Sequence, residues 1–253
     1  MTLGDAVRGW GALAMRELLR TWRQPTRVIA AVGTPLLMWL LLASGLSQSV
    51  RIEGTGATYS AYLYPGMIAL TAIFAGIFAA MSLIEDRHSG VLQAAITSPL
   101  PRWALAASKI AGGGAAGLAQ VALMIALSPL LGASADPVRM LSALAWAGAL
   151  CAAVTGLCLA LAWFVDSAAG FHGVMNLLLM PMWLLSGAFY PVEQAGDWIR
   201  LVTRANPLSA FLAMLRRSML EGAPAIGWAE PIYAAVCTAL AFGIAWATIG
   251  RRG

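Results

Sequence analysis

The sequence predicts an all-α polytopic membrane protein: six transmembrane helices, an N-terminal amphipathic interface helix and a short outer re-entrant helix pair before the last span. Three observations carry this prediction. The 253-residue chain is 60% hydrophobic and only 11% charged, with a mean hydropathy of +0.77, whereas soluble globular chains carry about 25% charged residues. No Asp, Glu, Lys or Arg falls in residues 28–50, 54–84, 110–135, 140–165, 167–192 or 231–250, and each gap holds the ~20 apolar residues that cross ~30 Å of hydrocarbon. Residues 1–27 and 192–228 instead keep a helical repeat of apolar positions beside a charged stripe. Spans of this number and length leave only short connectors, so no separate soluble catalytic domain is expected.

Residues 1–27 read as a cytoplasmic interface helix. Val7, Trp10, Ala14, Leu18 and Trp22 recur at helical spacing, and Arg16, Arg20, Arg23 and Arg27 form a separate basic stripe. Such a helix is expected to lie in the headgroup layer with its Arg stems reaching toward lipid phosphate. Pro25 bends or ends it before the first span. This lead, with five Arg in 27 residues, is too long and too charged for a cleaved signal peptide, so span one is expected to remain.

The spans are placed at 28–46, 61–84, 110–132, 140–165, 171–191 and 229–249. Small residues recur four apart within them, as in Ala72, Gly76 and Ala80, or Gly148, Ala152 and Gly156, a spacing that lets helix backbones approach in lipid. Cys151, Cys158 and Cys237 all fall inside spans and read as small apolar side chains, not as a disulfide or metal set.

Between spans two and three, residues 85–109 form an inner loop: a Glu85-Asp86-Arg87 cluster, then Gly90, an amphipathic stretch with Val91, Leu92 and Ile96, then Ser98-Pro99 and Pro101. A structured loop of this kind can dock a partner, although an acidic cluster at a span end also suits a solvated helix terminus. Residues 192–228 hold two helical patterns separated by Asn206-Pro207. The second runs Leu208, Phe211, Leu212, Leu215 and Met219. At about 13 residues each, these helices rise only about 20 Å, too little to cross, and are expected to be interfacial or re-entrant.

Orientation follows Lys and Arg near the span ends. A cytoplasmic N-terminus places ten inside (Arg8, Arg16, Arg20, Arg23, Arg27, Arg87, Arg102, Lys109, Arg251 and Arg252) and six outside. Both termini are therefore expected to be cytoplasmic, in a multi-pass protein of a bacterial cytoplasmic (inner) membrane. The net charge of +5 comes from 15 Arg and one Lys without a long basic run. It describes membrane flanks, and no nucleic-acid partner is expected.

Glu85-Asp86-Arg87 followed by Gly90, Leu92 and Ser98-Pro99 after the second span resembles the signature of ABC-2-type transporter permeases. Ser186-Gly187-Ala188-Phe189-Tyr190-Pro191, with Asn206-Pro207-Leu208 beyond it, is similar to that family's outer re-entrant region. Gln93 departs from the pattern, since many relatives place an acid there. The resemblance covers the chain in order and implies a homodimer of this subunit joined to two copies of a separate ABC ATPase. ATP and Mg would then be bound on the partner, with no cofactor on this chain. Glu85, Asp86, Arg87, Gly90, Leu92, Ser98 and Pro99, with Arg16, Arg20 and Arg23 of the interface helix, are the expected ATPase-coupling positions. Ser186, Gly187, Pro191, Asn206 and Pro207 are the expected outer re-entrant positions. Cargo in the family ranges over polysaccharides, lipid-linked oligosaccharides, lipids and hydrophobic drugs.

The residues also speak against other mechanisms. A phosphate-binding loop G-x-x-x-x-G-K-[ST] requires a Lys, and the only one, Lys109, is followed by Ile110. Ion-coupled secondary carriers, the runner-up reading, generally place ionisable groups within their spans, and the proposed span cores contain none. An intramembrane enzyme, less favoured still, needs a nucleophile and base or a set of metal ligands facing one cavity. His88 and His172 are the only histidines and suggest no such pair. In span five, Asn176, Met180, Trp183 and Phe189 are the candidate lining of a translocation path, the alternative being ordinary bundle packing.

Overall fold

The computed structural model describes residues 3–46, 58–97, 101–131, 136–165, 167–220 and 227–251. The described residues are helical with short connections. The helices are α1 (Leu3–Trp22), α2 (Pro25–Leu46), α3 (Tyr59–His88), α4 (Val91–Ile96), α5 (Arg102–Leu127), α6 (Pro137–Ala162), α7 (Ala168–Leu184), α8 (Asp197–Ala205), α9 (Pro207–Met219) and α10 (Ala229–Arg251). Five of them, α2, α3, α5, α6 and α10, are long and apolar enough to cross a membrane.

The bundle is built around α3. Leu63, Met67, Ile68, Leu70, Ile73 and Leu83 are all fully buried, and α2, α5, α6, α7 and α9 pack against this helix. On the other side α6 carries α5, α10 and α9. Close approach relies on missing side chains: a Cβ on Gly76 of α3 would lie 2.8 Å from Val154 Cγ1 of α6. One on Gly113 of α5 would lie 2.7 Å from Ala79 Cβ of α3. At these two positions the small residues serve contacts within one chain.

Two boundaries differ from the sequence expectation. Helix α3 has 30 residues, about 45 Å of rise, so it outruns the hydrocarbon and carries Glu85, Asp86 and Arg87 as helical residues, not as a loop. The turn after it is short. Ser89 N–H bonds back to Glu85 O, Gly90 adopts φ +75, and α4 begins at Val91. That left-handed φ is where glycine costs least. The segment 85–109 is thus a helix end, the six-residue α4 and the start of α5.

The fifth apolar segment also departs from 171–191. Helix α7 has 17 residues and ends at Leu184, and residues 185–190 form turns with Gly187 at φ +79. Helix α9, expected as an interfacial or re-entrant helix, packs inward. Its stripe of Leu208, Phe211, Leu212, Leu215 and Met219 is buried against α6, α10 and α3. Helix α8 instead keeps Trp198 and Leu201 exposed.

Replacing Gly76 with Val overpacks the α3–α6 contact. The expected loss is about 1–3 kcal/mol, read as a lower midpoint of thermal unfolding in micelles. Gly243→Ala, where an added Cβ meets nothing within 4 Å, is expected to stay within about 0.5 kcal/mol of the parent.

Candidate functional site

Helix α1 does not present all its arginines to lipid. Its packed face runs Trp10, Leu13, Ala14 and Glu17, and it meets α5 where Gly112 leaves room. A Cβ there would lie 2.6 Å from Glu17 Cβ and 2.7 Å from Ala14 O. This contact brings the charged end of α1 onto the ends of α3 and α5, and the charges close on one another. Lys109 Nζ donates to Glu17 Oε1 at 2.6 Å and also to Asp86 Oδ2. Arg20 bridges two acids, donating to Asp86 Oδ1 at 2.6 Å and to Glu85 Oε2 at 2.7 Å. Arg27 pairs with Glu85, and Arg16 reaches Asp86 at 3.3 Å.

Lys109, Glu17 and Asp86 are only 5%, 6% and 2% exposed, so the centre of the cluster is dry while its arginines reach toward water. Asp86 lies just past Ile84, where the charge-free stretch ends. Burial pushes its pKa up, but the Lys109 ammonium and the Arg20 and Arg16 guanidiniums outweigh burial and hold the carboxyl below its ordinary value. Arg87 points elsewhere on the same helix end. It donates to Trp163 O at 3.1 Å and sits 5.2 Å from the Trp163 ring, closing the end of α6.

These placements revise the expected coupling positions. Asp86 and Glu85 are held in an internal ion-pair network, and Asp86 is too buried to form a docking surface. Arg16 and Arg20 bond to carboxylates of the bundle. Leu92 is buried and anchors α4 on the core. Ser98 and Pro99 lie outside the described residues. What the cluster does offer a partner is a groove of about 890 Å³ between α1 and the α3–α4 turn. Met15, Leu19 and Val91 give it exposed apolar walls, and Arg16, Arg20 and Arg23 line it as well. Apolar side chains exposed beside charges are a common mark of an interaction surface.

The opposite end of the bundle carries the second set of expected positions. The chain from 182 to 190 presents carbonyls that α3, α8 and α9 satisfy. Asn206 Nδ2 donates to Met182 O, and its Oδ1 accepts from Leu208 N at 3.0 Å, capping α9 ahead of Pro207. Thr203 donates to Leu185 O at 2.9 Å and Ser186 to Trp183 O at 2.6 Å. Tyr62 of α3 donates to Tyr190 O at 2.8 Å, and Tyr59 to Phe189 O at 3.2 Å. Arg216 donates to Gly187 O while its guanidinium lies 3.9 Å from the Tyr62 ring centroid. Pro191 ends this turn and precedes a single 3₁₀ turn, Val192–Gln194. Ser186, Gly187, Asn206 and Pro207 are brought together here.

The proposed path residues separate. Trp183 is 2% exposed, donates to Gly66 O at 2.9 Å and packs edge-on against Phe189 at 4.7 Å. It is a packing residue of the bundle. Asn176 lies on the exposed face of α7 with Leu177, and Met180 is half-buried. Sequence reasoning missed the structural roles of Glu17, Lys109, Tyr59, Tyr62 and Arg216. One signal was available: Glu17 falls on the apolar stripe of α1, and an acid there implies a buried cation.

Residues 8–220 match the family model described as ABC-2 type transporter. Among curated proteins the chain is 29% identical over 269 residues to Nodulation protein J of Rhizobium meliloti, covering 97% of this chain and 95% of that one. It is 30% identical over 233 residues to Nodulation protein J of Bradyrhizobium diazoefficiens, covering 84% and 81%. It is 28% identical over 211 residues to a protein of Porphyra purpurea named transport permease ycf38, covering 81% and 72%.

Removing one partner of a buried pair leaves the other charge uncompensated. Lys109→Met is expected to cost about 3–5 kcal/mol, measured by denaturant unfolding in micelles, with part of the loss recovered when Glu17→Met is added. Tyr62→Phe strips a donor from the 187–190 turn and should cost roughly 1–3 kcal/mol by the same measurement.

Proposed function

The chain belongs to the ABC-2 type transporter family, and on that premise we propose that it is the transmembrane permease subunit of an exporter driven by ATP hydrolysed on a separate ABC ATPase. A transport permease of this family is a multi-pass membrane protein, and five long apolar helices accord with that. The observation that carries the ATPase reading is the ion-pair network of Glu17, Asp86, Lys109, Arg20 and Glu85, which makes α1, the end of α3 and the start of α5 one rigid unit beside an open groove.

In this reading the ATPase seats in the α1–α4 groove. Met15, Leu19 and Val91 give it apolar contact, and Arg23 offers charge at the rim. Closure of the ATPase pair pushes on α4 and α1. Because Leu92 anchors α4 in the core and Asp86 ties α1 to α3, the push reaches the central helix and rocks the bundle. Glu85 and Asp86 are then positioning residues that transmit force, while Arg16 and Arg20, which line the groove, tie it to them.

Two copies of the chain alternate a path between them, with the exposed Asn176–Leu177 face of α7 turned toward it. Both termini lie on the ATPase side of a bacterial cytoplasmic membrane. The cargo is amphipathic, lipid-linked, saccharide or drug-like, matching the mostly apolar α7.

The test is co-purification with the cognate ATPase. Met15→Asp combined with Val91→Asp should reduce ATPase recovery at least tenfold while the unfolding midpoint stays near the parent's. Full ATPase recovery with this variant sinks the groove assignment. Substrate transport by the purified chain alone in vesicles under an ion gradient would overturn the ATP-driven reading.

A further inference from the structure

Helix α6 runs away from the ion-pair network. Arg87 closes its end at Trp163, so its first turn, at Pro137, lies at the other membrane surface. There a cleft of about 340 Å³ opens between the start of α6 and the end of α9. Arg139, Ser142 and Trp146 line it from α6, and Met214, Arg217 and Ser218 from α9. These spacings put each trio on one helix face. Arg139 immediately precedes the charge-free stretch 140–165, which sets it at headgroup level. Trp146 lies about 10 Å further along the helix, and the Ser142 and Ser218 hydroxyls meet between the two helices at 2.9 Å.

Two guanidiniums from different helices thus border one recess. Arginine cannot shed its charge there, and the counter-charge at Arg139 is thin. Its partners are Leu220 O at 3.4 Å and an oxygen of Asp136 at 4.0 Å, both at or beyond the long limit of a hydrogen bond. The other oxygen of Asp136 caps α6 by accepting from Val138 N. Arg20, in the network at the opposite end, reaches its carboxylates at 2.6 and 2.7 Å. Arg217 is exposed. Cations converging on a cleft with low-dielectric walls concentrate anions in it, and guanidinium matches phosphate oxygens in geometry.

The surroundings select among anions. Val138 and Leu141, beside the cleft, are 75% and 67% exposed, so its flank faces hydrocarbon. The recess has room for a phosphate and its glycerol, while acyl chains can continue only along that flank. We propose that the cleft binds the phosphate of an anionic phospholipid in the leaflet on this side. Arg139 and Arg217 donate to the phosphate oxygens. Ser142 turns its hydroxyl to them as well, and Ser218 keeps its own bond to Met214 O. The headgroup thereby clamps the first turn of α6 to the last turn of α9. The inference stands apart from the ATPase reading and requires no partner protein.

The experiment is native mass spectrometry of the purified full chain, stripped of lipid in detergent and titrated with phosphatidylglycerol or phosphatidylcholine of the same acyl chains. The parent should take up one phosphatidylglycerol in preference to phosphatidylcholine. Arg139→Gln and Arg217→Gln should each weaken that binding about fivefold, and the double variant about twentyfold. Arg200→Gln, on α8 at the same end and outside the cleft, should leave it unchanged. Parent-like binding by the double variant overturns the site, and equal uptake of the two lipids overturns recognition of the anionic headgroup. Displacement of phosphatidylglycerol by an equimolar amount of inorganic phosphate overturns the lipid as the source of the phosphate. If the variants at Arg139 do not fold, Arg217→Gln on the exposed side chain decides, and unchanged binding there overturns the proposal.

Discussion

A charge cannot be left unpaired inside an apolar bundle, and the lysine ammonium at position 109 meets that constraint by sitting between Glu17 and Asp86. Ionised groups with this little water around them carry desolvation penalties of several kcal/mol each, offset only when geometry is good and the remaining valences are bonded. Arg20 and Arg16 supply those remaining bonds to Asp86. The consequence is architectural. Helix α1 must lie on α5 at Gly112, because only there does Glu17 reach Lys109, and α3 must continue as helix past the hydrocarbon, because Asp86 is needed at the junction.

The same rule acts on backbone groups at the other end. Where α7 stops, the carbonyls from Met182 to Tyr190 would be unsatisfied in a low-dielectric surround. Asn206, Thr203, Tyr59, Tyr62 and Arg216 supply the donors. Helix α3 contributes to both ends, with Tyr59 and Tyr62 at one and Glu85 and Asp86 at the other. A rigid central helix held at both ends by polar contacts is a physical route by which displacement at one surface reaches the other.

Much of the element pattern was legible. The helical repeat of α1, the Pro25 break and the Leu208-to-Met219 stripe are local signals, and each corresponds to a helix or helix start in the fold. Asn206-Pro207 read as an interruption and is a cap. Other features were not legible. The span end at Ile84 follows from where charge begins, but whether Glu85 and Asp86 form a loop or a helix depends on partners elsewhere in the chain. Trp183 and Asn176 share one apolar segment, and only the position of Gly66 decides that Trp183 turns inward. Arg16 and Arg20 had the spacing of a lipid-facing stripe, and an arginine stem serves phosphate and carboxylate equally well.

By itself the sequence determined the class of protein, the stretches that can enter a membrane and the ends where charge collects. Those are sums over neighbouring residues, because the cost of moving a side chain from water to hydrocarbon belongs to that side chain. Only the tertiary structure decided which charges meet. Lys109 finds one acid 23 residues away and another 92 residues away. Such pairing depends on how helices lie against one another, which in turn rests on close approaches at Gly76, Gly112 and Gly113 that no local pattern distinguishes from the open Gly243.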